Sequence, residues 1–324
     1  MKFVITADDF GVNPIIDQAI QQAVLQGNVT NVAGMANGTD ATGQFSVQAL
    51  KNLKEQFPHI SIGLHITLTS GRAVSGRPAT LVKNDHGQFK GMISQASLDL
   101  STEEKRRQFK TDLEAELRAQ IEVFDKIGLP IEHFSDHVGI LTLHPFTAEV
   151  YYGVVKEYNP MSSVRNPVLT AALVNEGCLR DSQMFILGRV AGVVPGISKY
   201  SLEGMSQVLQ LMQQAGLKTT DYFVEHLYKN PFPHILRCIL NNTPTEPNPL
   251  VQNRVAPEPV AEIVSHLAIK PSQSPTYQNA LQAINDYGGV DPTYLQANRY
   301  REYEMLMEEL PNYKGQPGVE LVSF

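Results

Sequence analysis

The chain has 324 residues, 26 Lys and Arg against 33 Asp and Glu, a net charge of −7 and a pI of about 5.7. This acidic balance argues against binding of nucleic acid through a general basic surface. No run approaches the roughly 18 apolar residues of a membrane span, and carboxylates at positions 8 and 9 would interrupt a signal peptide. We therefore expect a soluble, cytoplasmic protein with neither nucleic-acid nor membrane partners.

The first segment of the chain has the pattern of a strand followed by a helix. The apolar residues 3–5 predict a short buried strand. Asn13 and Pro14 provide a cap residue and a proline suited to the first helical position. Apolar side chains then recur on one helical face until Gly27, at Ile15, Ile16, Ala19, Ile20, Ala23 and Val24.

Later segments repeat this alternation. Apolar runs predict further strands at residues 29–35, 60–66, 161–164, 222–224 and 263–264, and just before Asp136. A long helix is expected from about Ser101, capped together with Glu104, to Gly128. Short strands that alternate with helices indicate a parallel sheet, open or closed.

Two stretches interrupt the alternation. Residues 70–100 are polar and rich in glycine, and residues 228–259 contain many prolines. Both also carry apolar residues that should pack, so neither is typical of a linker between domains. We expect one elaborated domain, residues 1–324, in which these loops serve as lids or binding loops.

Chemistry-bearing residues follow several of the predicted strands. Asp8 and Asp9 directly follow the first, His65 lies near the end of another, and His137 closes a third. Ligands of α/β proteins bind at the carboxyl ends of the strands. Asp9, His65 and His137 would form an Asp-His-His set that leaves metal positions open for water and substrate. Such a set does not choose firmly between Mg²⁺, Mn²⁺ and Zn²⁺.

Several motifs resemble the YdjC/ChbG-type carbohydrate deacetylases. They are TADDFG at residues 6–11, GLHITLTSGRAVS at 63–75, HFSDH at 133–137, VRNP at 164–167 and VELV at 319–322. The resemblance covers most of the chain. It implies a distorted, TIM-like (β/α) barrel of mostly parallel strands with long insertion loops. It also implies a divalent metal, Mg²⁺ first, and removal of the N-acetyl group from a small amino-sugar oligosaccharide such as diacetylchitobiose or its 6-phosphate.

The resemblance also suggests roles for single residues. Asp8 would be the general base and Asp9 a metal ligand, although these two roles are exchangeable between neighbours. His266 would protonate the leaving amine. From their positions, Arg165 after a predicted strand and Arg72 in the irregular loop are expected at the substrate. The alternatives are a surface or carboxylate-paired arginine at position 165 and a solvated loop arginine at position 72. A homodimer is left open.

The sequence departs from the family pattern at two places. The family usually has a D-S-H-H-x-H block, where this chain reads Ser135-Asp136-His137-Val138-Gly139, and a His-Pro-Gly element, where it has His266-Leu267-Ala268. Two other functions are therefore kept. A glycoside or phospho-glycoside hydrolase would need a second acid, such as Asp136, across the scissile bond. A non-catalytic sugar-binding protein would need only the fold.

Overall fold

The computed structural model describes residues 1–38, 47–76, 78–89, 100–142, 144–167, 202–224, 259–287 and 295–324, and the single positions 234 and 293. Eight parallel strands lie within these ranges: β1 (Lys2–Phe10), β2 (Asn31–Gly34), β3 (Ser61–Ile66), β4 (His133–Asp136), β5 (Ser163–Val164), β6 (Tyr222–Val224), β7 (Val260–Ser265) and β8 (Glu320–Leu321). The strand order is β5-β4-β3-β2-β1-β7-β6, and β8 pairs with the start of β1.

The two ends of this strand order approach each other. The backbone N–H of Val164 on β5 donates to the carbonyl of Lys218, shortly before β6, at 2.8 Å. The N–H of Lys218 donates to the carbonyl of Ser162 at 3.3 Å. The sheet therefore curls round on itself, and the prediction of a distorted (β/α) barrel is confirmed.

Helices connect the parallel strands and cover the sheet. The described ones are α1 (Pro14–Leu25), α2 (Val47–Gln56), α3 (Glu103–Lys126), α4 (Pro145–Tyr158), α5 (Leu202–Ala215), α6 (Pro275–Tyr287) and α7 (Tyr300–Glu308). A five-residue π-helix, Leu295–Arg299, leads into α7. None of the helices in the described ranges is long and apolar enough to cross a membrane.

Helix starts follow local capping chemistry. The side chain of Asn13 accepts from the N–H of Ile15 at 2.9 Å, so the predicted start of α1 is confirmed. The start of α3 differs by one residue from the expectation. Thr102, not Ser101, is the cap, because its hydroxyl accepts from the N–H of Lys105 at 3.2 Å.

The loop after β3 is attached to α3 by buried polar side chains. Glu116 accepts from the backbone N–H groups of Val74 at 3.0 Å and Ser75 at 2.9 Å. Gln120 pairs with both backbone groups of Thr67, at 3.1 and 2.7 Å. These contacts fix the start of the loop predicted at 70–100. Residues 90–99, and all of 228–259 except 234 and 259, lie outside the described residues.

Candidate active site

Polar side chains converge at the carboxyl ends of the central strands. Asp8 and Asp9 lie at the end of β1 and His65 near the end of β3, while Arg165, His137 and His266 directly follow β5, β4 and β7. Parallel strands present their carboxyl ends at one edge of the sheet, which is where α/β barrels bind ligands. The structure thus brings together six of the seven predicted site residues.

Asp8 is held by an arginine from across the sheet. Nη1 and Nη2 of Arg165 donate to its two carboxylate oxygens at 2.7 and 2.9 Å. The same guanidinium donates to Glu262 on β7, from Nε at 3.1 Å and from Nη2 at 2.9 Å. Both carboxylates are buried. Asp8 therefore has a fixed orientation and a compensating positive charge.

Asp9 has a different set of neighbours. Its backbone is left-handed, with φ of 69°, which an aspartate tolerates better than most residues. Nη2 of Arg299, the last residue of the π-helix, donates to Oδ2 at 2.5 Å. Oδ1 is buried, and among the described residues no hydrogen-bond donor satisfies it. One oxygen of Asp9 is thus neutralised by a cation and the other is left for a further partner.

Two histidines point their Nε2 atoms toward this unsatisfied oxygen. Nε2 of His65 lies 3.3 Å and Nε2 of His137 3.8 Å from Asp9 Oδ1. Each ring is hydrogen-bonded at Nδ1 to a hydroxyl, His65 to Ser135 and His137 to Thr69, both at 2.7 Å. In the neutral tautomer whose Nδ1–H donates to the hydroxyl, Nε2 keeps a free lone pair, which is the arrangement that metal-ligating histidines use.

These three side chains fit a divalent metal in chemistry and nearly in spacing. Ligands about 2.1 Å from one ion, at tetrahedral or octahedral angles, lie roughly 3.0–3.4 Å apart. The His65 separation meets this value, and the His137 separation exceeds it by a few tenths of an ångström. As the side chains stand, no described group of three His, Cys, Asp or Glu already surrounds a coordination centre.

The local electrostatics keep both aspartates ionised. Burial opposes this by raising their pKa values. Arg165, His65 and His266 around Asp8, and Arg299, His65 and His137 around Asp9, together outweigh burial and hold both pKa values well below the usual range. Burial also lowers the pKa of His65, yet Asp8 and Asp9 raise it above its ordinary value. His137 responds mainly to burial, which lowers its pKa to about 4.

His266 lies at the same edge of the barrel. Its Nε2 is 3.9 Å from Oδ2 of Asp8, and its Nδ1 is 3.9 Å from Oε2 of Glu302 on α7. The backbone N–H of His266 donates to the same Glu302 oxygen at 2.5 Å. This carboxylate fixes the chain at His266, so the imidazole stands next to Asp8.

The two predicted substrate-binding arginines differ in surroundings. Arg165 is 9% exposed and directs its guanidinium to Asp8 and Glu262, which is the carboxylate-paired alternative. The Arg72 side chain is exposed. Its backbone carbonyl accepts from Asn37 at 3.0 Å, and the contacts found in the described ranges do not join its side chain to the cluster.

Sequence reasoning missed five residues of this site, which are Ser135, Thr69, Arg299, Glu262 and Glu302. Ser135 and Thr69 are inconspicuous hydroxyls, and Arg299 has no motif that separates it from Arg301. Glu262 did carry a signal, because a glutamate within the apolar run Val-Ala-Glu-Ile-Val should not be buried without a partner. That partner is Arg165.

The polar cluster lies at the strand ends of a barrel, and comparison with known proteins identifies the family. The model for the YdjC-like protein family matches residues 2–310. The chain therefore belongs to the YdjC-like family.

Relatives in this family bear the name carbohydrate deacetylase. One from Oceanobacillus iheyensis is 32% identical over 158 residues, which are 49% of this chain and 62% of that protein. One from Vibrio cholerae is 32% identical over 160 residues and is matched over only 57% of its length. One from Listeria monocytogenes is 26% identical over 327 residues, which cover 100% of this chain and 99% of the relative.

A solved structure supports the fold. The crystal structure of an Enterococcus faecalis protein, described as a candidate cellobiose-phosphate cleavage protein, aligns with a TM-score of 0.61 at 19% identity. The alignment covers 99% of this chain and 97% of the other. At this identity the likeness concerns the architecture alone.

Proposed function

We propose that this protein is a metal-dependent carbohydrate deacetylase that hydrolyses the N-acetyl group of a small amino-sugar oligosaccharide. The observation that carries the proposal is the division of labour between two neighbouring aspartates. Asp8 has both oxygens bound by Arg165, whereas Asp9 keeps one unsatisfied oxygen facing two histidines. The names of the relatives point to the same reaction.

Asp9, His65 and His137 would hold the metal. When bound, a divalent ion polarises the amide carbonyl and lowers the pKa of water. Mg²⁺ is the first expectation from the family resemblance, while two imidazole ligands suit Zn²⁺ or Mn²⁺ as well. Ser135 and Thr69 keep the two Nε2 atoms directed at the ligand oxygen of Asp9.

Asp8 is suited to accept a proton from the attacking water. Its low pKa keeps it in the carboxylate form at neutral pH but also makes it a weak base, so its value to the reaction rests on the single orientation in which Arg165 holds it. Arg165 therefore acts on the reaction through Asp8, and we do not assign it to the sugar. Arg72, exposed on the loop after β3, remains our candidate for a contact with the sugar.

His266 is suited to deliver a proton to the departing nitrogen. It stands beside Asp8, with Nε2 3.9 Å from Oδ2, so a proton taken up by one group has a short path to the other. Protonation is required because an amine anion is a poor leaving group. The products would be acetate and the free amino sugar.

The test is an assay for acetate. The purified protein is incubated with N,N′-diacetylchitobiose, with and without a 6-phosphate, in Mg²⁺, Mn²⁺ or Zn²⁺, and acetate is quantified before and after addition of a chelator. We expect release that the chelator abolishes and that the matching metal restores. Asp8→Asn serves as the control for contaminating activity.

The other outcomes separate the alternatives. Free monosaccharide without acetate, insensitive to chelator, would indicate a glycoside hydrolase. Binding of the sugar by calorimetry without any product would indicate a sugar-binding protein. Activity on the phosphorylated sugar alone would place a phosphate site next to the cluster.

A further inference from the structure

A chain of polar side chains crosses the barrel interior beneath the candidate site. The amide of Asn31 on β2 donates to Thr6 Oγ1 at 2.9 Å and meets Nε2 of His133 on β4 at 3.0 Å. The Thr6 hydroxyl in turn donates to Oε1 of Glu262 at 2.9 Å. This series of hydrogen bonds therefore ends on the Glu262 carboxylate, which also binds Arg165.

Glu262 is fully buried and concentrates its contacts on one oxygen. Oε1 accepts from Nε and Nη2 of Arg165 and from Thr6, while Oε2 has no hydrogen-bond partner among the described residues. The Phe223 ring lies 5.4 Å from Cζ of the same guanidinium and limits its movement from another side. Arg165 is thus held along its Nε edge by Glu262 while its Nη atoms face Asp8.

We propose that Glu262 is a positioning residue that aims Arg165 at Asp8. The inference rests on the proposed function, since it concerns the base of that reaction, but the geometry behind it is independent of any metal. An arginine bound only by Asp8 could swing with that side chain. A second carboxylate on a central strand, itself fixed by Thr6, makes the guanidinium a rigid support.

Burial makes a purely structural role a poor explanation. A buried carboxylate that shares one cation with a second carboxylate adds an uncompensated negative charge, which costs stability. An apolar side chain at position 262 would avoid that cost in a strand buried on both faces. A buried Glu262 beside Arg165 is therefore explained by its support of Asp8, at a cost in the free energy of unfolding.

The test is a pair of variants measured alone and together. Glu262→Gln preserves the shape of the side chain and removes its charge. Arg165→Lys preserves the positive charge but removes the planar set of N–H donors that binds both carboxylates. We expect Glu262→Gln to lower kcat about tenfold with KM within about twofold, because a misaimed base affects the chemical step. In a protein that already carries Arg165→Lys, Glu262→Gln should lower kcat less than about threefold, because the guanidinium that Glu262 positions is already absent.

A second readout does not depend on activity. The Nε–H proton of Arg165, assigned in an NMR spectrum by its loss in Arg165→Lys, should exchange slowly in the wild type and at least about tenfold faster in Glu262→Gln. Thr6→Val should produce a smaller change in the same direction, and Thr6→Ser should restore wild-type exchange. If the wild type releases no acetate, the proposed function fails while this measurement still decides the role of Glu262.

The matched control is Glu116→Gln, which alters another fully buried glutamate, on α3. We expect its effect on kcat, of whatever size, to multiply with that of Arg165→Lys and to leave the Nε–H exchange unchanged. If the losses of Glu262→Gln and Arg165→Lys multiply in the same way, or if Nε–H exchange is unchanged in Glu262→Gln, the proposal is overturned.

Discussion

Gly63 and His133 face each other as register partners on β3 and β4, and the histidine ring fills the space of the missing side chain. A Cβ atom on Gly63 would lie 1.8 Å from Cε1 of His133, far inside contact distance. His133 is fully buried, so its ring has no solvent to move into. Gly63 thus makes room for the ring of His133. Two residues further along the same strand, His65 reaches the site.

Gly63→Ala should destabilise the protein strongly. The added methyl group must displace a buried ring, and overpacking of this kind costs about 1–3 kcal/mol. Urea denaturation of both proteins measures the difference. The control is Gly153→Ala on α4, where nothing lies within 4 Å of the added Cβ and the free energy of unfolding should rise slightly. Equal effects of the two substitutions would contradict the predicted contact.

His133 should make stability depend on pH. Burial, aided by the charge of Arg165, lowers its pKa to about 3 from the ordinary histidine value of 6.5. The folded state thus keeps His133 neutral while the unfolded state binds a proton, so its contribution is complete above pH 6.5 and is lost as pH falls toward 3. The slope approaches about 1.4 kcal/mol per pH unit.

The variant His133→Phe isolates this effect because it keeps a ring and removes the titrating group. It will be less stable than wild type at pH 7, since the Asn31 amide keeps its contact with Thr6 but loses the one with His133. Between pH 6.5 and 5 its free energy of unfolding should fall less steeply than that of the wild type, as measured by urea titration. Parallel pH profiles would show that His133 is not kept neutral by the fold.

Val138, the residue that follows His137, has a strained backbone and an exposed side chain. Its φ of 56° lies in the left-handed region, which a β-branched residue adopts only at a cost of about 1–2 kcal/mol, and its side chain is 48% exposed. Val138→Asn should raise the free energy of unfolding by about 1 kcal/mol, because asparagine tolerates this conformation. Val123→Asn, in the ordinary helical backbone of α3, should not stabilise. A melting temperature unchanged or lowered in Val138→Asn would refute the strain.

Metal content should separate the two aspartates. Asp9→Asn, His65→Ala and His137→Ala should each lose bound metal after dialysis, as measured by elemental analysis, because each removes a proposed ligand. Asp8→Asn should keep the metal and lower kcat by about two to four orders of magnitude. His59→Ala, which alters an exposed imidazole, is the control. The opposite pattern for Asp8 and Asp9 would mean that their roles are exchanged.

The sequence predicted strands and helices well where apolar residues recur at regular spacing. Strand β1 shows the limit, because it was expected at residues 3–5 and extends from Lys2 to Phe10. Its second half contains Thr6, Asp8 and Asp9, whose side chains are buried among other polar groups, so hydrophobic patterning cannot detect it. Topology was accessible because short parallel strands joined by helices leave few alternatives.

The site was predicted from the convergence of strand ends together with the family resemblance, and this reasoning found the side chains that lie directly at those ends. It could not find Arg299, because an ion pair between positions 290 residues apart leaves no local pattern. It also placed Arg165 at the site without revealing that two carboxylates bind it. Pairing depends on which side chains face each other across the barrel, and that is decided only when the sheet closes.

The ion pair between Asp9 and Arg299 also has a consequence for biosynthesis. Arg299, the cation that pairs with Asp9, is translated 290 residues after it. At about 5–20 residues per second the ribosome needs roughly 15 to 60 s to cover that distance. During this interval the central strand of the sheet carries a carboxylate that cannot be buried without its counter-charge. The nascent chain must therefore keep this end of β1 hydrated or shielded, and the barrel can close around Asp9 only after Arg299 has been synthesised.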